Sequence, residues 1–294
     1  MVGKKRGFFP IFVHINMILM CVIVLLPFLI MIMSSFSSER SILKYGYEIF
    51  PHEFGTQAYD YMINRSKLVF RSYGITILTT LVGTTVGLFM SMFLAYGLSI
   101  RNLPGRSVLA FLLFFTMLFN GGTVPTYIMW SQWFHIKNTL WALIIPRLLL
   151  SAFQVIVMRS YFQANIPEEM KEAARIDGAS ETRILFRIVM PMSIPIICTI
   201  GLMIALNYWN DWTNGLYYIT ESKLFSVQQL LNRILADARY LAQNTDNLEV
   251  AAADIPTNSL KMALATIGAI PVMLLLPVFQ KYYIKGITIG AVKG

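Results

Sequence analysis

The nine residues EAARIDGAS, Glu172–Ser180, decide how this chain is read. They are polar and rich in small side chains, yet strongly apolar sequence lies on both sides. IPEEMK (166–171) leads in, and ILFRIVMPMSIP (184–195) returns at once to apolar sequence. Pro167 suits the first position of a helix, where a missing N–H costs nothing. Glu168 and Glu169 follow at the positive end of the helix dipole, which favours carboxylates. Asp177-Gly178 ends that helix, with Gly178 suited to a left-handed C-terminal conformation. A second helix is predicted from about Ser180, with Ile184, Leu185 and Ile188 on one face. The segment 162–191 therefore reads as a compact helical hairpin in which Ala173 and Ala174 would let a partner's backbone approach closely. The pattern alone fits equally well an amphipathic helix resting on a membrane surface.

The surrounding sequence is that of a membrane protein. Of 294 residues, 56% are apolar and only 13% charged, against about 25% charged in a soluble domain. The net charge of +9 does not point to nucleic acid, because the positive residues are scattered at the ends of apolar runs. Cys21 and Cys198 both lie in apolar runs and offer neither a disulfide framework nor metal-ligand spacing. Six stretches are long and apolar enough to cross a bilayer: 11–33, 72–99, 107–130, 140–161, 192–213 and 260–279. Their apolar character is continuous, not alternating, so helices are expected and a barrel is not. The run after Lys4, Lys5 and Arg6 exceeds the core of a signal peptide and is followed by no A-x-A site, so it is read as a retained span. The expected fold is an all-α integral membrane protein of six spans, one domain over 1–294.

Lysine and arginine set the orientation. Lys4–Arg6, Arg101, Arg106, Arg159, Lys171, Arg175, Arg183, Arg187, Lys281, Lys285 and Lys293 all fall on one face of the six-span arrangement. The positive-inside rule places that face, both termini and the hairpin in the cytoplasm. The outer loops are then 34–71 and 215–259. The second contains SVQQLLNRILADARYLA (226–242), whose Leu230, Leu231, Ile234, Leu235 and Ala238 have helical spacing.

No GxxxxGK[ST] phosphate loop, HExxH, GxSxG or CxxC motif is present, and His14, His52 and His135 are far apart. The chain is not expected to be an enzyme or to hydrolyse ATP. A membrane-embedded enzyme would need a cluster of catalytic residues, and an ion-coupled secondary transporter would need intramembrane carboxylates, of which Asp211 is the one clear candidate.

Polar residues inside spans are costly and so are candidates for a transport route. Asn207, Tyr208, Trp209, Asn210 and Asp211 crowd one helix end, where aromatic faces would stack on a solute ring and amides would bind hydroxyls. An interfacial aromatic belt explains the same cluster. Asp211 has two further roles open to it, substrate contact or a salt bridge to Arg147. Asn120, Gly121, Gly122 and Pro125 interrupt the third span, as in the broken helices that line transport routes. A packed kink is the alternative. Tyr127, Trp130 and Trp133 read as interfacial anchors.

Glu172, Ala173, Ala174, Gly178, Ile188 and Pro191 stand where the EAA loop of bacterial ABC-transporter permeases has its EAA, its glycine and its I-x-L-P ending. Met190 replaces the usual leucine. Asp177 and Ala179, the WND of Trp209–Asp211 and the ending KGITIGAVKG (285–294) are similar to the maltose-type carbohydrate branch. That resemblance implies a coupling helix, with Glu172, Ala173, Ala174, Asp177 and Gly178 seated in the cleft of a separate ATPase subunit. It implies a homologous second permease, two ATPases that use ATP and Mg, and an extracytoplasmic sugar-binding protein. It places the chain in a bacterial cytoplasmic membrane, with no cofactor bound by the chain itself. The tail 286–294 would reach between the ATPases. The positive residues Arg40, Lys44, Arg65, Lys67 and Arg71 of the first outer loop would steer acidic sugars, but Glu39, Glu48, Glu53 and Asp60 dilute that field. A loop that touches the binding protein is the preferred reading. The alternative within the superfamily is a permease for another small solute.

Overall fold

Helices dominate the computed structural model, which describes residues 8–63, 66–243 and 257–291. Among these residues the only β pairing is an isolated antiparallel bridge, Ser37 to Phe54. The chain runs through α1 (Phe8–Ser35), α2 (Glu39–Tyr45), α3 (Gln57–Ile63), α4 (Ser66–Ser99) and α5 (Arg106–Leu118). Next come α6 (Thr123–Ile128), which continues as a π-helical turn over Met129–Trp133, then α7 (Trp141–Ile144) and α8 (Ala152–Asn165). The hairpin follows as α9 (Glu168–Ile176) and α10 (Glu181–Ile184), the latter extended by a π-helical turn, Leu185–Val189, and by α11 (Met190–Met192). The chain finishes with α12 (Ile194–Trp209), α13 (Thr213–Tyr218), α14 (Val227–Gln243) and α15 (Thr257–Ala291).

Two compact units divide the chain, residues 1–66 with 231–271, and residues 67–230 with 272–294. In the first, Gly55 N donates to Phe36 O at 2.8 Å and Ser38 N to Glu53 O at 3.0 Å, which folds the loop after α1 back on itself. Glu39 reaches the start of α15. Its carboxylate accepts from the backbone N–H of Asn258 and of Ser259, each at 2.9 Å, and from Asn258 Nδ2 at 2.8 Å. Those N–H groups have no partner inside their own helix, and an anion at that end also meets the helix dipole favourably.

The second unit is built round a buried cluster. Met92, Ala95, Tyr96 and Leu98 of α4 meet Val155, Met158 and Phe162 of α8, and Ile196, Ile200, Ile204 and Tyr208 of α12. These positions recur at three and four, the spacing of one helical stripe. Ile184, Leu185 and Val189 join the same cluster, so the second arm of the hairpin is rooted in it. Within a bilayer such a seam is held by close van der Waals packing, because lipid tails are as apolar as these side chains. Gly83 of α4 is forced by close packing, since a Cβ there would run into the Tyr208 ring. Tyr208 is fixed in turn by donating to Ile144 O at 2.7 Å.

The spans differ from the sequence reading in instructive ways. Among the described residues three helices are long and apolar enough to cross a membrane, 10–35, 67–99 and 257–274, or up to five if each of two bent pairs is one span. The stretch 107–130 is broken at Phe119–Gly122, where α5 and the α6 segment meet at 113°. Gly122 is left-handed there (φ 84°) and Pro125 lies in the first turn beyond. The stretch 140–161, expected as one helix, is two, parted at Pro146–Leu150 with Arg147 left-handed at φ 64°. Pro146 removes a backbone donor and the left-handed Arg147 turns the chain out of the helical path, so the apolar run does not continue as a helix. In the expected stretch 192–213 the helix begins at Ile194, after an 88° bend at Ser193, and ends at Trp209. The expected outer-loop helix is present as α14, with Leu230 and Ile234 buried. The side chain of Ala238, residues 1–7, Arg65 and residues 244–256, the side chains of Lys281 and Lys285, and the tail's last residues 292–294 lie outside the described residues.

Candidate functional site

The hairpin holds the residues singled out by sequence. Pro167 stands one place earlier than expected, at the N-cap (φ −58°, ψ 133°), and α9 starts at Glu168. The first arm ends as anticipated. Asp177 N donates to Ala173 O at 3.0 Å, Ala179 N to Ala174 O at 2.9 Å, and Gly178 takes φ 78°. A residue with a Cβ is strained in that left-handed conformation, and glycine is not. Ser180 then caps the second arm by accepting from Arg183 N.

Glu172, Ala173, Asp177 and Gly178 are exposed together on the first arm, while Ala174 is half-buried against the core. Ile176 beside them is 86% exposed, an apolar side chain that no described residue covers. The face opposite is held down by charge. Arg175 Nε donates to Glu181 Oε1 at 2.7 Å, and its terminal nitrogen to Glu168 Oε1 at 3.4 Å. Lys171, buried at 2% exposure, pairs with Glu168 Oε2 at 2.6 Å. The Tyr96 hydroxyl of α4 donates to the second oxygen of Glu181. Hydrogen bonding to Arg175 holds the Glu181 carboxyl below the usual carboxylate range, against the upward push of burial. Burial also pushes Glu168 upward, but its bonds to Lys171 and Arg175 outweigh that and leave it lowered. The first arm is thus tied to the second, and the second to α4. Sequence reading missed this network, because Tyr96 lies 85 residues from Glu181. The signal within reach was Arg175 and Glu181, six apart across a glycine turn.

The polar residues of the expected route separate. Asn207 and Asn210 are exposed at the end of α12, whereas Tyr208 and Trp209 are buried, at 3% and 7%. Trp209 lines a mostly apolar cavity of about 410 Å³ between α4 and α12, with Thr80, Thr84 and Cys198. Asp211 Oδ1 accepts from Thr213 N at 3.1 Å and Asn214 N at 3.2 Å, which starts α13. Arg147 acts on Asp211 through its charge, but no ion pair within 4 Å joins them among the described residues. Asn120 lies in the α5–α6 break and lines a second cavity, of about 110 Å³, with Arg147, Asn214, Tyr217 and Tyr218. Tyr127 stacks on Tyr218 at 5.8 Å, so it packs against a neighbouring ring, while Trp133 is 76% exposed.

Three comparisons bear on this arrangement. Residues 83–289 match the family model described as the binding-protein-dependent transport system inner membrane component. The chain is 34% identical to the polygalacturonan/rhamnogalacturonan transport system permease protein YtcP of Bacillus subtilis, over 99% of this chain and 100% of that one. It is 37% identical to Protein LplC of the same organism, over 92% and 90%. Its fold is similar to a chain in the crystal structure of a bacterial ABC transporter involved in the import of the acidic polysaccharide alginate. The TM-score is 0.78 at 27% identity, over 96% of this chain and 99% of that one.

Proposed function

Since the chain belongs to the family of binding-protein-dependent transport system inner membrane components, we propose that it is the permease subunit of an ATP-driven ABC importer. It carries a sugar or oligosaccharide across the cytoplasmic membrane by alternating access. The observation that carries this is the end-to-end similarity to a permease of a polysaccharide transport system. Six spans would be made from the three continuous helices, the two bent pairs and the broken α7–α8 stretch. Both termini and the hairpin would lie in the cytoplasm.

The hairpin geometry supports a division of labour. The exposed patch Glu172, Ala173, Asp177 and Gly178, flanked by bare Ile176, seats in a cleft of a separate ATPase subunit. Ala174 backs that patch from the body side. The Arg175–Glu181–Tyr96 network makes the patch move with α4, so closure of two ATPases on ATP and Mg is passed to the spans as a rigid-body rotation. A homologous permease completes the pore, and an extracytoplasmic sugar-binding protein delivers the substrate. Hydrolysis belongs to the ATPase. This chain's part is mechanical.

The test uses the assembled transporter in proteoliposomes, with a panel of sugars delivered by its binding protein. Glu172→Lys places the wrong charge in the cleft. Gly178→Pro demands φ near −65° where the turn has 78°. Each is expected to lower ATP-driven uptake at least tenfold. Wild-type uptake that needs no ATP, or full activity in both variants, would refute the proposal.

A further inference from the structure

The break that turns 140–161 into two helices places a cation where backbone chemistry would prefer a glycine. Arg147 has φ 64°, a region that residues with a Cβ rarely adopt and that Gly and Asn adopt most readily. Strain of this kind persists where the side chain has work to do, and here the side chain lines a cavity. The guanidinium is exposed and has no ion-pair or hydrogen-bond partner among the described residues. Asp211, on which its charge acts, already accepts from two backbone N–H groups of α13.

The rest of the cavity suits a saccharide. Asn120 uses its Oδ1 to accept from Gly122 N at 3.0 Å, which leaves its Nδ2 free to donate. Tyr217 is 40% exposed and offers an aromatic face, with the Tyr218 ring set at 66° to it. In the same wall Asn214 Oδ1 is a buried acceptor without a partner among the described residues. A guanidinium fork pairs with a carboxylate through two parallel hydrogen bonds, and aromatic faces and amides suit sugar C–H groups and hydroxyls. One cation, with no second among the lining residues, matches a singly charged carboxylate better than a phosphate dianion.

We infer that this cavity is a carboxylate-recognising subsite, in which Arg147 holds the acid group of a uronate-containing oligosaccharide on its way through the permease. The inference rests on the importer reading above and adds to it the charge of the cargo and the residue that reads it.

The experiment compares trigalacturonate with its methyl ester, the same backbone without charge, as cargo for the assembled transporter and its binding protein. Arg147→Gln removes the charge. Arg147→Gly removes it while relaxing the backbone, so a loss shared by both variants is not a folding defect. Uptake of the acid is expected to fall about tenfold or more in both, as for a lost hydrogen bond to a charged group, and uptake of the ester to stay within about twofold. Arg147→Lys, a point charge without the fork, is expected to fall between. Equal loss for acid and ester, or no loss for either, overturns the inference. A wild-type complex that carries neutral sugars but no uronate also overturns it and leaves the importer reading intact. A complex that carries no sugar on ATP refutes the importer reading itself, and the inference falls with it.

Discussion

Replacing Arg175 by glutamine tests whether the hairpin is fastened to the spans or merely lies against them. Arg175 makes two charge-assisted contacts, at 2.7 Å to Glu181 and 3.4 Å to Glu168, with its side chain 30% exposed. A hydrogen bond to a charged group contributes about 1.5–3 kcal/mol, and a fully exposed ion pair about 0.2–1. A partly exposed group with one good bond and one long one falls between, at about 1–2 kcal/mol. The variant leaves Glu181 with Tyr96 alone and Glu168 with Lys171 alone. A change of that size multiplies the population of a detached hairpin by roughly 5–30. The exposed patch of Glu172, Ala173 and Gly178 is untouched, so the ATPase still binds and still turns over. What suffers is transmission. We expect ATP hydrolysis within about twofold of wild type, with sugar imported per ATP down about fivefold or more. Arg175→Lys, which keeps the charge but not the fork, should fall between. An unchanged ratio of sugar to ATP in Arg175→Gln would refute the idea that this network carries the motion.

Three other expectations follow from the same geometry. Glu168 and Glu181 have lowered folded-state pKa values, so their contribution is complete above the unfolded value of about 4.3 and is lost as pH falls through the folded values. Protection factors at the hairpin amides, taken relative to the intrinsic exchange rate at each pH, should therefore hold from neutral pH down to about pH 4 and fall below it, and a fall already at pH 6 would contradict this. Gly83→Ala should cost about 1–3 kcal/mol by driving a methyl group into Tyr208. Gly74→Ala in the same helix, with nothing within 4 Å, should be neutral or slightly stabilising, and equal melting temperatures for the pair would refute the packing argument. Glu39→Gln keeps an acceptor but loses the charge at the start of α15 and should cost about 1 kcal/mol. Thermal unfolding in detergent checks it, and no shift would mean that the contact is incidental.

The hairpin was legible because its signals are local. Gly178 needs a left-handed turn, Ser180 can cap only the helix that follows it, and Ile184, Leu185 and Ile188 show their face by spacing alone. The broken fourth stretch was not legible in that way. Its residues are apolar throughout, and hydropathy cannot distinguish a helix from an irregular turn of the same composition. Pro146 carried the warning, because a proline well inside an apolar run marks a place where the helix stops or bends. Tyr208 and Trp209 illustrate a different limit. Their side chains suit a sugar and suit a packed interior equally well, and the choice depends on Gly83, 125 positions upstream, which leaves room for the Tyr208 ring.

The grip of Glu39 on Asn258 and Ser259 joins residues 219 and 220 positions apart. During synthesis the loop after the first helix therefore waits for this contact until residues 258 and 259 have left the ribosome. Contacts of such long sequence separation form late. The first unit is completed only when the final helix arrives, so a nascent chain that stops short of residue 258 cannot close it.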